Sequence, residues 1–160
     1  MRDRKSIAFD FSKATVLMVD ANGMCLDVLV AILASFGFRQ THRCADFSAA
    51  TDVVKRHGVD LIFMDPFPYE DAGYDFVRWL RSERLGSSST APVIITSANP
   101  HVKLISAARD CGVDYVVAKP FSTSVIIDRI AWVVENEGRR GELMAPAELI
   151  SNAGSGVELW

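Results

Sequence analysis

Apolar positions along this chain come in short runs that alternate with helical patterns. "ATVLMV" (14–19), "DLIFM" (60–64), "PVIITS" (92–97) and "DYVVA" (114–118) are runs of strand length, and "RQTHRC" (39–44) is a weaker one. Between them the spacing changes to that of helices. In 23–37, Leu26, Leu29, Val30 and Leu33 share one face. The segment 46–58 opens on an N-cap residue and closes on Gly58, and 101–112 also closes on glycine. Helices are predicted over 74–86 and 122–138 as well, with "SSST" after the former read as loop. No internal repeat is visible.

The segments at 15–19, 60–64 and 93–96 are nearly continuous apolar runs rather than alternating ones. Strands of that kind belong to a parallel sheet covered on both faces. Alternating strands and helices with short links predict an α/β fold, a doubly wound (βα)5 sandwich around a five-stranded parallel sheet. Chemistry in such folds gathers at the carboxyl ends of the strands, beside the point where strand order reverses. The polar residues at those ends are Asp20, Asp65, Ser97 and Lys119. Two carboxylates brought together repel unless a cation joins them, and oxygen ligands suit Mg²⁺. A lysine and a hydroxyl beside that cation suit a phosphoryl group. There is no Walker loop, and the "DANG" turn lacks a dinucleotide fingerprint. A carboxylate nucleophile that takes a phosphoryl group is the economical reading.

Composition narrows the field. With 49% hydrophobic and 23% charged residues the chain has a soluble protein's core, and its formal charge of −3 argues against nonspecific nucleic-acid binding. No apolar run approaches the roughly 18 residues of a membrane span. The basic N-terminus has no apolar stretch behind it, so it is not read as a secretory signal. Cys25, Cys44 and Cys111 share no metal spacing and read as reduced, small, mostly buried residues of a cytoplasmic protein. His42, His57 and His101 are scattered and are not read as ligands.

"VLMVDAN", "DLIFMD", "PVIITSA" and "GVDYVVAKPF" follow one another in an order and spacing that resembles response-regulator receiver domains. The resemblance covers about residues 14–137 and implies the flavodoxin-like, CheY-like fold. It implies that Asp65 is the phosphoacceptor and that Asp20 is the first acid of the metal-binding pair. It further implies that Ser97 is the hydroxyl that turns towards the phosphoryl group, and that Lys119 pairs with that group ahead of a cis Lys119–Pro120 bond. Mg²⁺ is the implied cofactor, held by Asp20, Asp65 and the backbone carbonyl of Phe67. The departures are as informative. The usual second acid after the first strand is Ala21, which predicts weak Mg²⁺ binding; Asn22, Glu70 and Asp71 are nearby groups that could compensate. The loop after the acceptor is Pro-Phe-Pro-Tyr, and the switch aromatic of the last strand is Val116, with Tyr115 one residue early and on the opposite face.

Two helices carry more apolar residues than one face needs. On the first, Met24, Val28 and Ile32 are predicted to point outward, as the face that receives a histidine kinase or histidine phosphotransfer protein. On the last, Ile126, Ile127, Ile130, Val133 and Val134 are predicted to face inward, with Val125 and Trp132 outward for a downstream protein. The domain plan is an N-terminal extension (1–13), a receiver domain (14–138) and a flexible tail (139–160) with Leu149, Ile150 and Trp160 as sticky points. The tail is too short for an output domain, so a single-domain regulator that signals by protein–protein interaction is the leading expectation. No dedicated enzyme activity is expected beyond self-phosphorylation and slow self-dephosphorylation. The rival is a pseudo-receiver that binds partners independently of phosphorylation, favoured by Ala21 and Val116. A phosphatase of the haloacid-dehalogenase kind lacks its second aspartate here.

Overall fold

The computed structural model describes residues 11–82 and 85–135. The order is β1 (Thr15–Val19), α1 (Gly23–Ser35), β2 (Gln40–Cys44), α2 (Phe47–Arg56), β3 (Leu61–Met64), α3 (Glu70–Ser82), β4 (Val93–Ser97), α4 (Val102–Cys111), β5 (Tyr115–Ala118) and α5 (Thr123–Glu135). The strands form one parallel sheet in the order β2-β1-β3-β4-β5. The chain moves from β1 outward to β2 and then crosses to β3, so strand order reverses between β1 and β3. Every residue of β3 and β4 is buried, as a sheet with helices on both faces requires.

Side chains alternate between two cores. Leu17, Val19, Ile62, Met64, Ile95 and Val116 pack with α2, α3 and α4. Val16, Met18, Phe63, Ile94, Tyr115 and Val117 pack with α1 and α5. Close packing holds α3 down near β3: a Cβ on Gly73 would meet Pro66 Cβ at 2.9 Å and Met64 Cε at 3.1 Å. At the far end of the sheet, Arg81 of α3 donates to the carbonyls of Gly112, Ser89 and Ala91 and to Asp114 Oδ2, tying α3 to the start of β5. Gly112 caps α4 at φ 104°, in the left-handed region that glycine enters at little cost.

Several expectations are corrected. α3 begins at Glu70, four residues before the predicted start, and ends at Ser82. Glu70 and Asp71 lie in its first turn, where acids favour the positive end of the helix dipole. The "SSST" segment is part of a 3-10 turn over Gly86–Thr90, held by Ser88, whose hydroxyl accepts from Val59 N. Ile32, predicted outward, is buried with Leu26, Leu29 and Leu33, because the apolar stripe is wide enough to include it. Met24 (78% exposed) and Val28 (51%) do face solvent.

On α5 the prediction is reversed in part. Val125 and Trp132 are half-buried against the core, whereas Val134 is exposed. The reason is Tyr115, which projects to the α5 side, meets Trp132 edge-on at 5.6 Å and carries the Arg129 guanidinium over its ring. Phe11, from the segment before β1, stacks on Phe38 with ring centres 4.3 Å apart. The proposed tail and its Leu149, Ile150 and Trp160 lie outside the described residues.

Candidate functional site

The register of the sheet brings the two acids to one level. Val19 of β1 pairs with Met64 of β3, so Asp20 and Asp65 are the next residues on neighbouring strands. Asp65 N donates to Val19 O at 2.9 Å, and Asp20 N donates to Cys44 O at 3.0 Å, which carries the hydrogen-bonded ladder up to both residues. Lys119 follows β5 in the same way, with its N–H on Ser97 O at 2.8 Å. From there its side chain reaches across to both carboxylates: Nζ donates to Asp20 Oδ2 and to Asp65 Oδ2, each at 2.7 Å.

The remaining carboxylate oxygens are also engaged. Asp20 Oδ1 accepts from Asn22 N at 2.8 Å, and Asp65 Oδ1 accepts from Phe67 N at 3.0 Å. Both acids thus make a local turn with one oxygen and meet the ammonium with the other. Asp65 therefore closes a turn with one oxygen and presents the other to the ammonium. Asp20 does not cap α1: Asn22 does, its Oδ1 accepting from Met24 N and Cys25 N.

The three charged side chains are only 9–11% exposed. Burial alone would pull the Lys119 pKa down. Hydrogen bonds and negative charge from Asp20 and Asp65 more than reverse that, and its pKa lies above the ordinary lysine value. Lys119 is therefore cationic at any physiological pH. Two carboxylates and one ammonium leave the cluster one negative charge in excess, at the open end of a sheet.

Ser97 is buried beside Lys119, its hydroxyl accepting from Asn99 N at 3.1 Å. Phe67 is 70% exposed on its turn, between Asp65 and a cis Phe67–Pro68 bond; Lys119–Pro120 is cis as expected. Val116 faces the α4 side, and Tyr115 the α5 side.

The donor set can be tested against Mg²⁺. This ion binds through one or two carboxylates and keeps several waters, and Asp20 with Asp65 supplies two hard carboxylates already joined through one cation. The fit is minimal, however. Ala21 is exposed and has no donor, Asn22 is committed to its cap, and Glu70 faces His101 at 3.6 Å. Among the described residues no group of three or more His, Cys, Asp or Glu side chains is placed to hold a metal ion.

The sequence reading missed two features here. Lys119 joins both acids at once, which no local pattern encodes. His101 is the N-cap of α4, Nδ1 accepting from Leu104 N at 3.1 Å. Histidine is not among the preferred N-cap residues, and Glu70 is too far along the chain for spacing to reveal the pair.

The model of the response regulator receiver domain matches residues 16–131, which includes all four strand-end residues. The chain belongs to the response regulator receiver family. Among curated relatives, the transcriptional regulatory protein PdtaR of Mycobacterium tuberculosis is 28% identical over 120 residues, covering 74% of this chain and 56% of that protein. The transcriptional regulatory protein YxdJ of Bacillus subtilis is 30% identical over 116 residues, covering 72% of this chain and 48% of that protein. The chain thus spans about half the length of the curated relatives it matches.

Solved structures agree on the fold. A response regulator from Chloroflexus aurantiacus superposes with a TM-score of 0.69 at 21% identity, covering 76% of this chain and 98% of that one. The receiver domain of a sensor histidine kinase from Pseudomonas aeruginosa, solved with a magnesium ion coordinated in its active site cleft, gives 0.67 at 24% identity, covering 76% and 98%. No helix among the described residues of this receiver is long and apolar enough to cross a membrane.

Proposed function

We propose that this receiver accepts a phosphoryl group on Asp65 from a phosphohistidine partner and signals by protein–protein contact. The observation that carries the reading is the Lys119 ammonium at 2.7 Å from both Asp20 and Asp65. It gathers, at the switch point of a receiver fold, the charges that a phosphoryl transfer needs. In the transfer, a carboxylate oxygen of Asp65 attacks phosphorus. The P–N bond to the donor imidazole breaks, its electron pair stays on that nitrogen, and an acyl phosphate forms. Lys119 then takes up a phosphoryl oxygen in place of the carboxylate oxygen it now holds. The Ser97 hydroxyl leaves Asn99 N and donates to another phosphoryl oxygen. Mg²⁺, when bound, supplies further positive charge against the transferred group, with Asp20, Asp65 and the Phe67 carbonyl as its protein ligands.

The exposed Met24 and Val28 on α1 are the surface on which a histidine kinase or histidine phosphotransfer protein would dock, without the buried Ile32. The flank of α5 around Val125 and Trp132 is the surface for a downstream protein, as a half-buried rather than a projecting anchor. A cytoplasmic setting fits both partners. The receiver unit is taken as 14–138.

One observation favours a second reading, a pseudo-receiver that binds without phosphorylation. The usual second acid after the first strand is missing at Ala21, so only two carboxylates remain to hold a cation. Intact mass after incubation with a small phosphodonor and Mg²⁺ separates the two. A gain of one phosphoryl in the wild type and none in Asp65→Asn supports the acceptor. No gain in either supports the pseudo-receiver.

A further inference from the structure

The loop between β4 and α4 holds a histidine that the phosphoryl chemistry does not use. The His101 ring caps α4, with Nδ1 accepting from Leu104 N at 3.1 Å. An accepting Nδ1 places the proton of the neutral ring on Nε2, which faces Glu70 Oε1 of α3 at 3.6 Å. The backbone of the same residue continues towards the site. His101 N donates to Asn99 O at 2.9 Å, and Asn99 N donates to Ser97 Oγ at 3.1 Å. One short loop therefore joins the Ser97 hydroxyl to the cap of α4, and Glu70 fastens the same point to α3.

We propose that His101 is a positioning residue for Ser97, and that its protonation state sets how readily Ser97 leaves its turn to meet a phosphoryl oxygen. The proposal rests on the reading of Asp65 as phosphoacceptor. The neutral ring is a hydrogen-bond acceptor and caps the helix. The protonated ring has donors only, so Leu104 N loses its partner, and a positive charge is set at the positive end of α4. Glu70 acts in the same direction, because its carboxylate draws the imidazolium towards α3 and away from the cap. Other titratable groups on the facing turns of α3 and α4 do not reverse the sign. Asp71 on α3 and Lys103 on α4 are exposed. Tyr74 of α3 and Cys111 of α4 are buried, and burial raises both their pKa values, so both are neutral here. Ser97 and Asn99 carry no charge. Acidification therefore loosens the loop and frees Ser97. Linkage requires the converse as well: a phosphoryl group that draws Ser97 away must favour the protonated ring.

The experiment follows the His101 ring and the Asn99 and Leu104 amides of the full chain by NMR from about pH 8 to about pH 5, the span in which histidine changes charge. His101→Asn, which caps a helix without titrating, and Glu70→Gln are run beside it. In the wild type, exchange of the Leu104 amide, corrected for its intrinsic pH dependence, is expected to become about fivefold faster as His101 protonates, the loss of one N-cap. The Asn99 amide should shift with the same midpoint. Both responses should be absent in His101→Asn and smaller in Glu70→Gln, which no longer draws the imidazolium off the cap. After treatment with a small phosphodonor the wild-type midpoint should rise. Titration of His101 with no response at Leu104 or Asn99, or a wild-type profile in His101→Asn, overturns the proposal. A mass gain on Asp65 without the amide responses overturns the role of His101 alone. The amide responses without a mass gain overturn the acceptor reading, and leave only a pH-sensitive link between His101 and the Ser97 turn.

Discussion

Replacing Lys119 by methionine keeps an unbranched side chain and removes one charge. Asp20 and Asp65, each about 9% exposed, would then face one another with only their turn amides for partners. Breaking a buried ion pair by removing one partner costs about 3–5 kcal/mol. One lysine serves both acids and the strand ends lie near water, so the lower figure applies, about 3 kcal/mol, or roughly 6–12 °C in Tm. The cost should depend on pH with a definite sign. Without the ammonium, repulsion raises the pKa of the carboxylate pair in the folded state above its unfolded value of about 4. The folded variant then holds a proton that the unfolded chain lacks, and its stability falls as pH rises from about 4 through the raised value. The gap to the wild type should thus be widest near pH 7 and narrow towards pH 5. Mg²⁺ should stabilise the variant more than the wild type, because the carboxylates no longer have the ammonium. Urea titration at the two pH values, with and without Mg²⁺, reads all of this. A variant within about 0.5 kcal/mol of the wild type, or a gap that widens on acidification, would refute the central role given to Lys119.

Ala21→Asp should tighten Mg²⁺ binding by about tenfold or more, roughly 1.4 kcal/mol, in a calorimetric or fluorescence titration; equal affinities would place position 21 outside the metal site. Val28→Glu should slow phosphoryl transfer from a protein donor but not from a small one, with stability changed by no more than about 0.5 kcal/mol; a large loss of stability would show that Val28 is core. The Tyr74 hydroxyl is buried with no hydrogen-bond partner among the described residues, so Tyr74→Phe should raise stability by about 1 kcal/mol in a urea titration. Burial, with Glu70, Cys111 and Asp71 nearby, pushes the Tyr74 pKa up to about 12. The wild type should therefore lose about 1–3 kcal/mol between about pH 10 and 12, where only the unfolded tyrosine ionises, and the phenylalanine variant should be spared that part of the loss.

The fold was legible because its signal is local and repeated. Continuous apolar runs such as "LIFM" and "VIITS" mark strands buried on both faces, and each is followed by a helical period. Asp20, Asp65 and Lys119 could be nominated because each ends such a run. Their contact depends on register, Val19 against Met64 and Ser97 against Ala118, which no single segment states. The start of α3 was misplaced because "DPFPYED" reads as loop through its two prolines, while the acids that favour the helix follow at once. The outward sets on α1 and α5 failed where a neighbour widened the contact. Ile32 flanks a broad stripe, and Trp132 is drawn in by Tyr115, which strand alternation had correctly turned away from Val116 but not paired with anything. His101 was passed over because a capping imidazole and a partner across a helix pair leave no pattern in the sequence.

The central claim is that Asp65 is the atom group that takes the phosphoryl. An acyl phosphate is reduced by borohydride to an alcohol, which would convert a phosphorylated Asp65 to homoserine and record the site permanently. The measurement is peptide mass analysis after treatment with a small phosphodonor and Mg²⁺, followed by borohydride. The account predicts homoserine at position 65, dependent on the donor, and unchanged aspartate at position 20. Reduction at Asp20 instead, or an unreduced Asp65 in fully treated protein, would contradict it.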